Sequence, residues 1–498
     1  MKNHVRIILR QALLLEYLPH WQALLGDRRL EREHFLPEVD RTFQFHGLPF
    51  LATREYQPVN DHWSADEITS GLDRVYRLIL MRDQRVPPAL INDLKLIPII
   101  EHVSPGSIGQ MELQPRSSSL SVRTDRASRD AIYLDEAQAF STGDPLITVA
   151  VLDTGVDLGH RELRGTLQDG FDFVNILDGT QEFIGDFLEA DAVPDDEVGH
   201  GTHVAGIVAG KGNNMPQGVV PRCKIIPVRV LAAMEKQGRR IGAGLIENIN
   251  AGVKYAVDQG ADVINMSLGG SPDGYPDEQH PLNRAVRAAT EAGITVVAAV
   301  GNSGPDANTI GSPAEAPESI AVGASLNPTT VSDFSSRGPT EAGLIKPDVM
   351  APGEFVAGWS VPGSAMEQTA VAVETLRRMP AAMLKKTMEK NPNLAENLGL
   401  PPEVVKLPAE QLEKLVKPNL PPTYIPSPGL VAAPGTSFAA PLVSGVLATL
   451  EEERDISPEE GLGLLRDTAD SMGLPGTVQG RGFVDAKEAL DTLRQAES

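Results

Sequence analysis

Four short segments carry the residues of this 498-residue sequence that could do chemistry. AVLDTGVD ends an apolar run on Asp153, and GHGTHVAGIVAG sets His200 at the mouth of a helix made of small residues. PGTSFAAPLVSGVLATL puts Ser437 at the start of a long apolar helix, and VVAAVGNSGP follows a third apolar run with Asn302. Read singly, each has a structural explanation: a turn aspartate, a packed histidine, Thr436 and Ser437 as helix caps, and a strand-to-turn asparagine. Together they describe nucleophilic acyl transfer. A serine hydroxyl becomes a useful nucleophile when an imidazole removes its proton and a carboxylate orients that imidazole. The free N–H groups of a helix's first turn and a carboxamide N–H can then hold the oxyanion that forms. Pro441 is tolerated because it falls near the helix start.

These residues need a rigid frame, and the sequence from Pro145 onward supplies one. Short β-branched runs, ITVAVL (147 to 152), KIIPVRVL (224 to 231), ADVINMSL (261 to 268), ITVVAAV (294 to 300) and SIAVGAS (319 to 325), alternate with helical patterns. That alternation predicts a parallel sheet covered on both faces. The helical stretches IENINAGVKYAVDQG and HPLNRAVRAATEAG each end at a glycine, Gly260 or Gly293. Further helices are expected around 438 to 454, 457 to 470 and 484 to 494. Parallel sheets present functional groups at the carboxyl ends of their strands, where Asp153 and Asn302 fall.

With these segments in hand, the sequence resembles the subtilisin-like serine proteases, the subtilases, over residues 130 to 362 and 429 to 495. The resemblance implies an α/β, three-layer subtilisin-like fold with a mostly parallel central sheet. It implies Asp153 as the orienting carboxylate, His200 as general base then acid, Ser437 as nucleophile, and Asn302 with the Ser437 N–H as the oxyanion hole. His203 and His160 are expected to be structural. The NMSLGG stretch is similar to the family's edge strand, so Ser267, Leu268 and Gly269 are expected to pair with an extended peptide substrate, and Gly301 to line the pocket before the cut. The implied activity is a serine endopeptidase working through a covalent acyl-enzyme. A catalytically silent peptide-binding relative and an esterase or amidase are the alternatives.

The chain departs from the family pattern in two places. Many relatives carry a calcium loop after the histidine helix, but KGNNMPQGVVP is short, and only Glu162 and the Asn213–Asn214 pair offer oxygen ligands. No metal site is assigned, and no cofactor is required for the chemistry. The acidic stretch 178 to 197 holds eight carboxylates and is read as a solvated loop. The larger departure lies between Ala351-Pro352-Gly353 and Gly435, where residues 364 to 428 change texture to Met, Lys, Glu and Pro at helical spacing. This insertion is expected to be a helical lid or exosite, or else a tolerated surface excursion.

Residues 1 to 113 hold six of the ten histidines and are expected to form a small separate domain. Their end, LKLIPIIEHVSPGSIGQMEL, resembles the closing strand of subtilase propeptides, which implies intramolecular inhibition; a permanent partner-binding domain is the other reading. Residues 114 to 129 are polar and Ser/Arg-rich, a flexible linker with cleavage points at Arg116, Arg123, Arg126 and Arg129. The opening MKNHVRIILRQALLLEYL is broken by Arg6, Arg10 and Gln11, so it is expected to be an amphipathic helix rather than an export signal, and the protein cytoplasmic. No stretch is apolar enough for a membrane span.

Charge narrows the partners. Residues 1 to 125 are almost neutral, with 15 basic and 16 acidic groups, whereas the remainder carries 29 against 51, for a net charge of −23. Such a field repels a phosphate backbone, so nucleic acid is not an expected partner. The single cysteine, Cys223, cannot form an intrachain disulfide, so the fold does not depend on an oxidising compartment.

Overall fold

A computed structural model describes residues 3–13, 15, 17–58, 62–82, 84–106, 108–111, 127–174, 192–213, 217–236, 239–269, 280–391, 393–421, 423–426 and 428–496. Most of the linker (residues 114–126), Asn214 and the acidic stretch from 178 to 191 lie outside the described residues.

Four strands make the first sheet: β1 (His4–Leu9), β2 (Phe50–Arg54), β3 (Val75–Leu80) and β4 (Ile100–Pro105), antiparallel in the order β2-β3-β1-β4. The opening residues are therefore an interior strand, and the expected amphipathic helix is not formed. Alternation explains the outcome. Val5, Ile7 and Leu9 enter a core shared with Phe43 of α1 (Pro37–Phe45) and Leu90 and Leu94 of α2 (Pro88–Leu94). Arg6, which breaks the apolar run in the sequence, is buried on the opposite face.

A short strand β5 (Ile108–Met111) leaves this body and joins a second sheet. The central sheet begins with β6 (Thr148–Asp153), β7 (Phe171–Asp172) and β8 (Lys224–Arg229). Strands β9 (Ala232–Lys236) and β10 (Arg239–Leu245) stand apart with β5, and the central sheet resumes with β11 (Val263–Met266), β12 (Thr295–Ala299), β13 (Ile320–Asn327), β14 (Thr330–Val331) and β15 (Val349–Pro352). Its order is β14-β13-β12-β11-β6-β8-β7 with β15 beside β13, and every pairing except β13 with β14 is parallel. The five runs read from the sequence are all strands of this sheet.

Because side chains alternate along a strand, β6 feeds two cores. Val149 and Val151 face α3 (His200–Ala209) and the long helix that bears Ser437, whereas Ala150 and Leu152 face α4 (Ile246–Asp258) and α5 (Pro281–Glu291). Helix, sheet and helix make the three layers. Gly260 and Gly293, just past α4 and α5, have φ of +71° and +87°, as left-handed helix terminations require.

A two-stranded antiparallel hairpin, β16 (Val356–Trp359) with β17 (Leu430–Ala433), emits the insertion. It contains α6 (Ala365–Arg378), α7 (Ala381–Lys390) and α8 (Ala409–Val416), and Leu384, Met388, Leu398, Leu412 and Val416 give it a core of its own. The chain then runs through α9 (Thr436–Glu453), α10 (Pro458–Thr468) and α11 (Ala486–Gln495). No helix of the described residues is long and apolar enough to cross a membrane.

Candidate active site

Asp153 is the last residue of β6 and is fully buried. Its Oδ1 accepts the Thr154 N–H at 2.7 Å and lies 2.7 Å from His200 Nδ1. A carboxylate can only accept, so the proton sits on Nδ1 and the Nε2 lone pair is left outward as a base. Glycine permits the approach of the two elements. A Cβ on Gly201 would collide with the Gly155 carbonyl oxygen and press to 3.1 Å from Asp153 Cβ.

The N-terminus of α3 is built by a residue that motif reading passed over. Asp196 is buried, its Oδ1 accepting from Thr154 Oγ1 (2.9 Å), Val198 N (3.1 Å) and Gly199 N (2.7 Å), its Oδ2 from Thr202 N (2.9 Å) and Thr202 Oγ1 (2.7 Å). Thr154 Oγ1 in turn accepts the Gly201 N–H at 2.9 Å, which ties the strand bearing Asp153 to the helix bearing His200. Burial raises the Asp196 carboxyl above the usual range, and these bonds work against that rise. Its neighbours Asp195 and Glu197 pair with buried Arg229 at 3.4 and 2.8 Å, and Arg229, which also holds Asp172 at 3.1 Å, stands opposite Asp153 in the β6–β8 register. An acidic residue just ahead of a helix start is a capping signal, and it was available in DDEVGH.

Ser437 is buried in the first turn of α9. Pro441, four residues on, has no N–H to offer the Ser437 carbonyl. Ser267 replaces it: its Oγ donates to that carbonyl at 2.7 Å and accepts from Asn265 Nδ2 at 2.9 Å. The side chain of Ser267 thus serves the helix that bears Ser437, and any pairing of residues 267–269 with a peptide is left to their backbone. Leu268 is buried, and Gly269 lies against the backbone of Ala299 and Ser312.

The next residue, Phe438, packs against both histidines of α3, its ring centroid 5.2 Å from that of His200 and 4.4 Å, stacked, from that of His203. This contact brings the start of α9 to the imidazole, although no hydrogen bond joins the Ser437 hydroxyl to the His200 ring. In free enzymes such bonds are often open and close on substrate. His203 is fully buried, and burial, aided by its neighbour His200, drives its pKa down to about 3, so it stays neutral. Gly358 lies so close over His203 that a Cβ would overlap the ring.

Asn302 follows β12 and Gly301, whose φ of +98° strains any other residue and where a Cβ would press to 3.0 Å from Ser336 Oγ. Asn302 Oδ1 accepts both Thr436 N and Thr436 Oγ1 at 3.0 Å. A backbone N–H only donates, so these bonds fix the amide with its oxygen toward Thr436 and its NH₂ free for another acceptor.

β10 is the middle strand of a three-stranded sheet, between β5 and β9. Glycine-rich β10 pairs antiparallel with β5, Leu245 opposite Ile108, Gly244 opposite Gly109, Ala243 opposite Gln110 and Gly242 opposite Met111. Buried Glu162 accepts the Asn213 backbone and side-chain N–H groups at 3.0 and 3.1 Å. No group of three metal-binding side chains occurs among the described residues. His160 packs against Trp359, and burial lowers its pKa. Arg129 departs from the expected open linker, being buried at 7% exposure and bonded to Asp135 and Gln138 at 2.9 and 2.6 Å.

The sequence model of the Subtilase family matches residues 145–484. The chain belongs to the subtilase family. Serine protease AprX of Bacillus subtilis is 39% identical over 236 residues, covering 45% of this chain and 49% of AprX. The major intracellular serine protease of the same organism is 37% identical, covering 42% of this chain and 59% of its own length. The chain therefore spans less than two thirds of either. Subtilisin DY of Bacillus licheniformis is 32% identical over 281 residues, 54% of this chain and 90% of that protease. The matched region of this subtilase takes in Asp153, His200, Asn302 and Ser437.

Proposed function

We propose that this subtilase is a serine endopeptidase. The observation that carries the reading is the buried Asp153–His200 pair, whose Nδ1–Oδ1 distance is 2.7 Å, with the first turn of α9 packed on the imidazole through Phe438. His200 Nε2 takes the Ser437 hydroxyl proton as Oγ bonds to the scissile carbonyl carbon. The charge that develops on the carbonyl oxygen is met by Asn302 Nδ2 and the Ser437 N–H. His200 returns the proton to the leaving amine as the C–N bond breaks, and water, deprotonated by the same imidazole, releases the acyl group. Asp153 holds the imidazole in its tautomer and balances its charge. None of these steps calls for a redox cofactor.

Residues 1–113 are proposed to act as an internal inhibitor, because β5 lies along β10 as an extended peptide would. Their sheet docks on α4 through buried polar groups: Arg77 pairs with Glu55 at 2.6 Å, lies 4.3 Å over the Trp21 ring and reaches Asn248 at 3.4 Å, while His4 approaches Glu247 at 3.4 Å. Mass spectrometry of wild type and Ser437→Ala tests this. A cut between the N-terminal body and residue 130 in wild type alone supports a propeptide; an intact chain in both makes it a permanent domain.

The open Ser437–His200 contact favours a second reading, a silent peptide-binding relative. Casein hydrolysis separates the two. Activity lost on Ser437→Ala supports the peptidase, and binding without turnover supports the silent form.

A further inference from the structure

The insertion is rooted in the loop that delivers His200. Its first helix, α6, has four leading N–H groups with no partner inside the helix, as every helix does. Two of them are spent on that loop: Ala365 N donates to Glu197 O at 3.1 Å and Met366 N to Val198 O at 2.9 Å. Ser364, the N-cap, accepts Glu367 N at 3.3 Å and is packed so tightly on Gly199 that a Cβ there would come within 2.6 Å of Ser364 Oγ. Gly199 has φ +91°, so no other residue fits that turn without strain. The Met366 side chain, with Ala370 one turn on, is buried in the same core as Phe438, Val204 and Val443, whereas Val373, Leu384 and Met388 pack on a separate cluster around Leu412. On the far side of the loop Glu197 is gripped by Arg229. The segment just before His200 is therefore clamped between the central sheet and the insertion's first turn.

We infer that Ser364 and Met366 are positioning residues for His200, so that the insertion is a working part of the catalytic apparatus rather than a surface excursion. The inference rests on the reading of His200 as the base. It acts through the backbone at 197–199: when α6 is seated, Gly199 and the first turn of α3 hold the imidazole on Asp153, and when it is not, the imidazole drifts. A misplacement of about 1 Å can cost on the order of 100-fold in rate.

The test compares Met366→Ala with Met366→Leu, and with Leu412→Ala, a similar truncation in the insertion's own core, all in the full chain. Amide hydrogen exchange at residues 198–203, read in a Ser437→Ala background, is expected to speed up about tenfold or more for Met366→Ala and to stay near the parent for the other two. In the active background kcat on a short peptide falls about 10- to 100-fold with KM unchanged, and Met366→Leu restores it. Equal effects of Met366→Ala and Leu412→Ala, or none from either, overturn the inference. A parent with no turnover refutes the catalytic reading instead, while the exchange measurement still decides whether α6 holds the loop.

Discussion

His200 Nδ1 lies 2.7 Å from Asp153 Oδ1, with both side chains out of contact with water and the second carboxylate oxygen of Asp153 left without a hydrogen-bond partner in the structure. A carboxyl group this buried and incompletely bonded is costly, and the cost is tolerable where the group has work to do on a neighbour. The imidazole beside it is that neighbour in the proposed acyl transfer, where its protonation would bring a positive charge to Asp153.

Asp153→Asn should keep the fold and lose the rate. The amide is isosteric, but it no longer dictates which imidazole nitrogen holds the proton. A fall in kcat of about 10⁴-fold is expected, a size measured in other serine proteases, subtilisin among them. Steady-state turnover of a short peptide checks it, alongside thermal unfolding to show that the variant is folded.

Asn302→Leu should reduce kcat by about 100- to 1,000-fold with little change in KM, the loss found in subtilisin when its oxyanion donor is removed. Thr436→Val, which removes one of the two bonds orienting the Asn302 amide, should fall between wild type and Asn302→Leu. Kinetics on one peptide substrate ranks all three proteins.

How much of this was legible in the sequence follows from where each residue sits. Buried parallel strands declare themselves as β-branched runs, and the left-handed turns at Gly260 and Gly293 announce their helix ends, so the frame and the four site segments could be read directly. β1 could not, because it is buried on both faces: Arg6 and His4 look like solvent-facing positions in one dimension, yet they abut α4 of the other body. β10 was equally silent, since GAG has no side chain larger than the Ala243 methyl to show a period. The support for His200 was hidden for a different reason. Arg229 and Met366 act through contacts between segments separated by tens to hundreds of residues, and only the topology brings them to one loop, whereas Asp196 lies four residues from His200 and its capping signal could have been read.

Asp196→Ala should cost both stability and turnover. It strips four hydrogen bonds from the start of α3 and a fifth from Thr154 Oγ1, leaving Gly199 N, Val198 N and Thr202 N buried without their acceptor. A loss of about 3 kcal/mol or more is expected from unsatisfied buried groups of this kind, read by denaturant unfolding. Asp196→Asn should be milder, because one oxygen remains to accept.

Acid should loosen the N-terminal body. Burial drives His20 to about 3 and His102 to about 4, so each resists protonation in the fold while the unfolded chain takes protons up near the ordinary histidine value. Stability from these groups is present above about pH 6.5 and is lost as pH falls toward 4 and 3. Glu247 has the same sign. Burial alone would raise it, but His4, Arg6 and Arg77 outweigh that and hold it at about 2, so its contribution is lost as pH falls from about 4.5 toward 2. Hydrogen-exchange protection over β1 to β4, taken relative to the intrinsic rate at each pH, should therefore fall between pH 6.5 and 4 before protection in α9 does.

The most direct test is covalent labelling. A fluorophosphonate probe should attach to the full chain, or to its processed form, at one site, mapped to Ser437 by peptide mass spectrometry and lost in both Ser437→Ala and His200→Ala. Labelling of Ser437 that persists at the wild-type rate without His200, or a folded wild type that takes up no probe, would contradict the proposal that these two side chains meet to open a peptide bond.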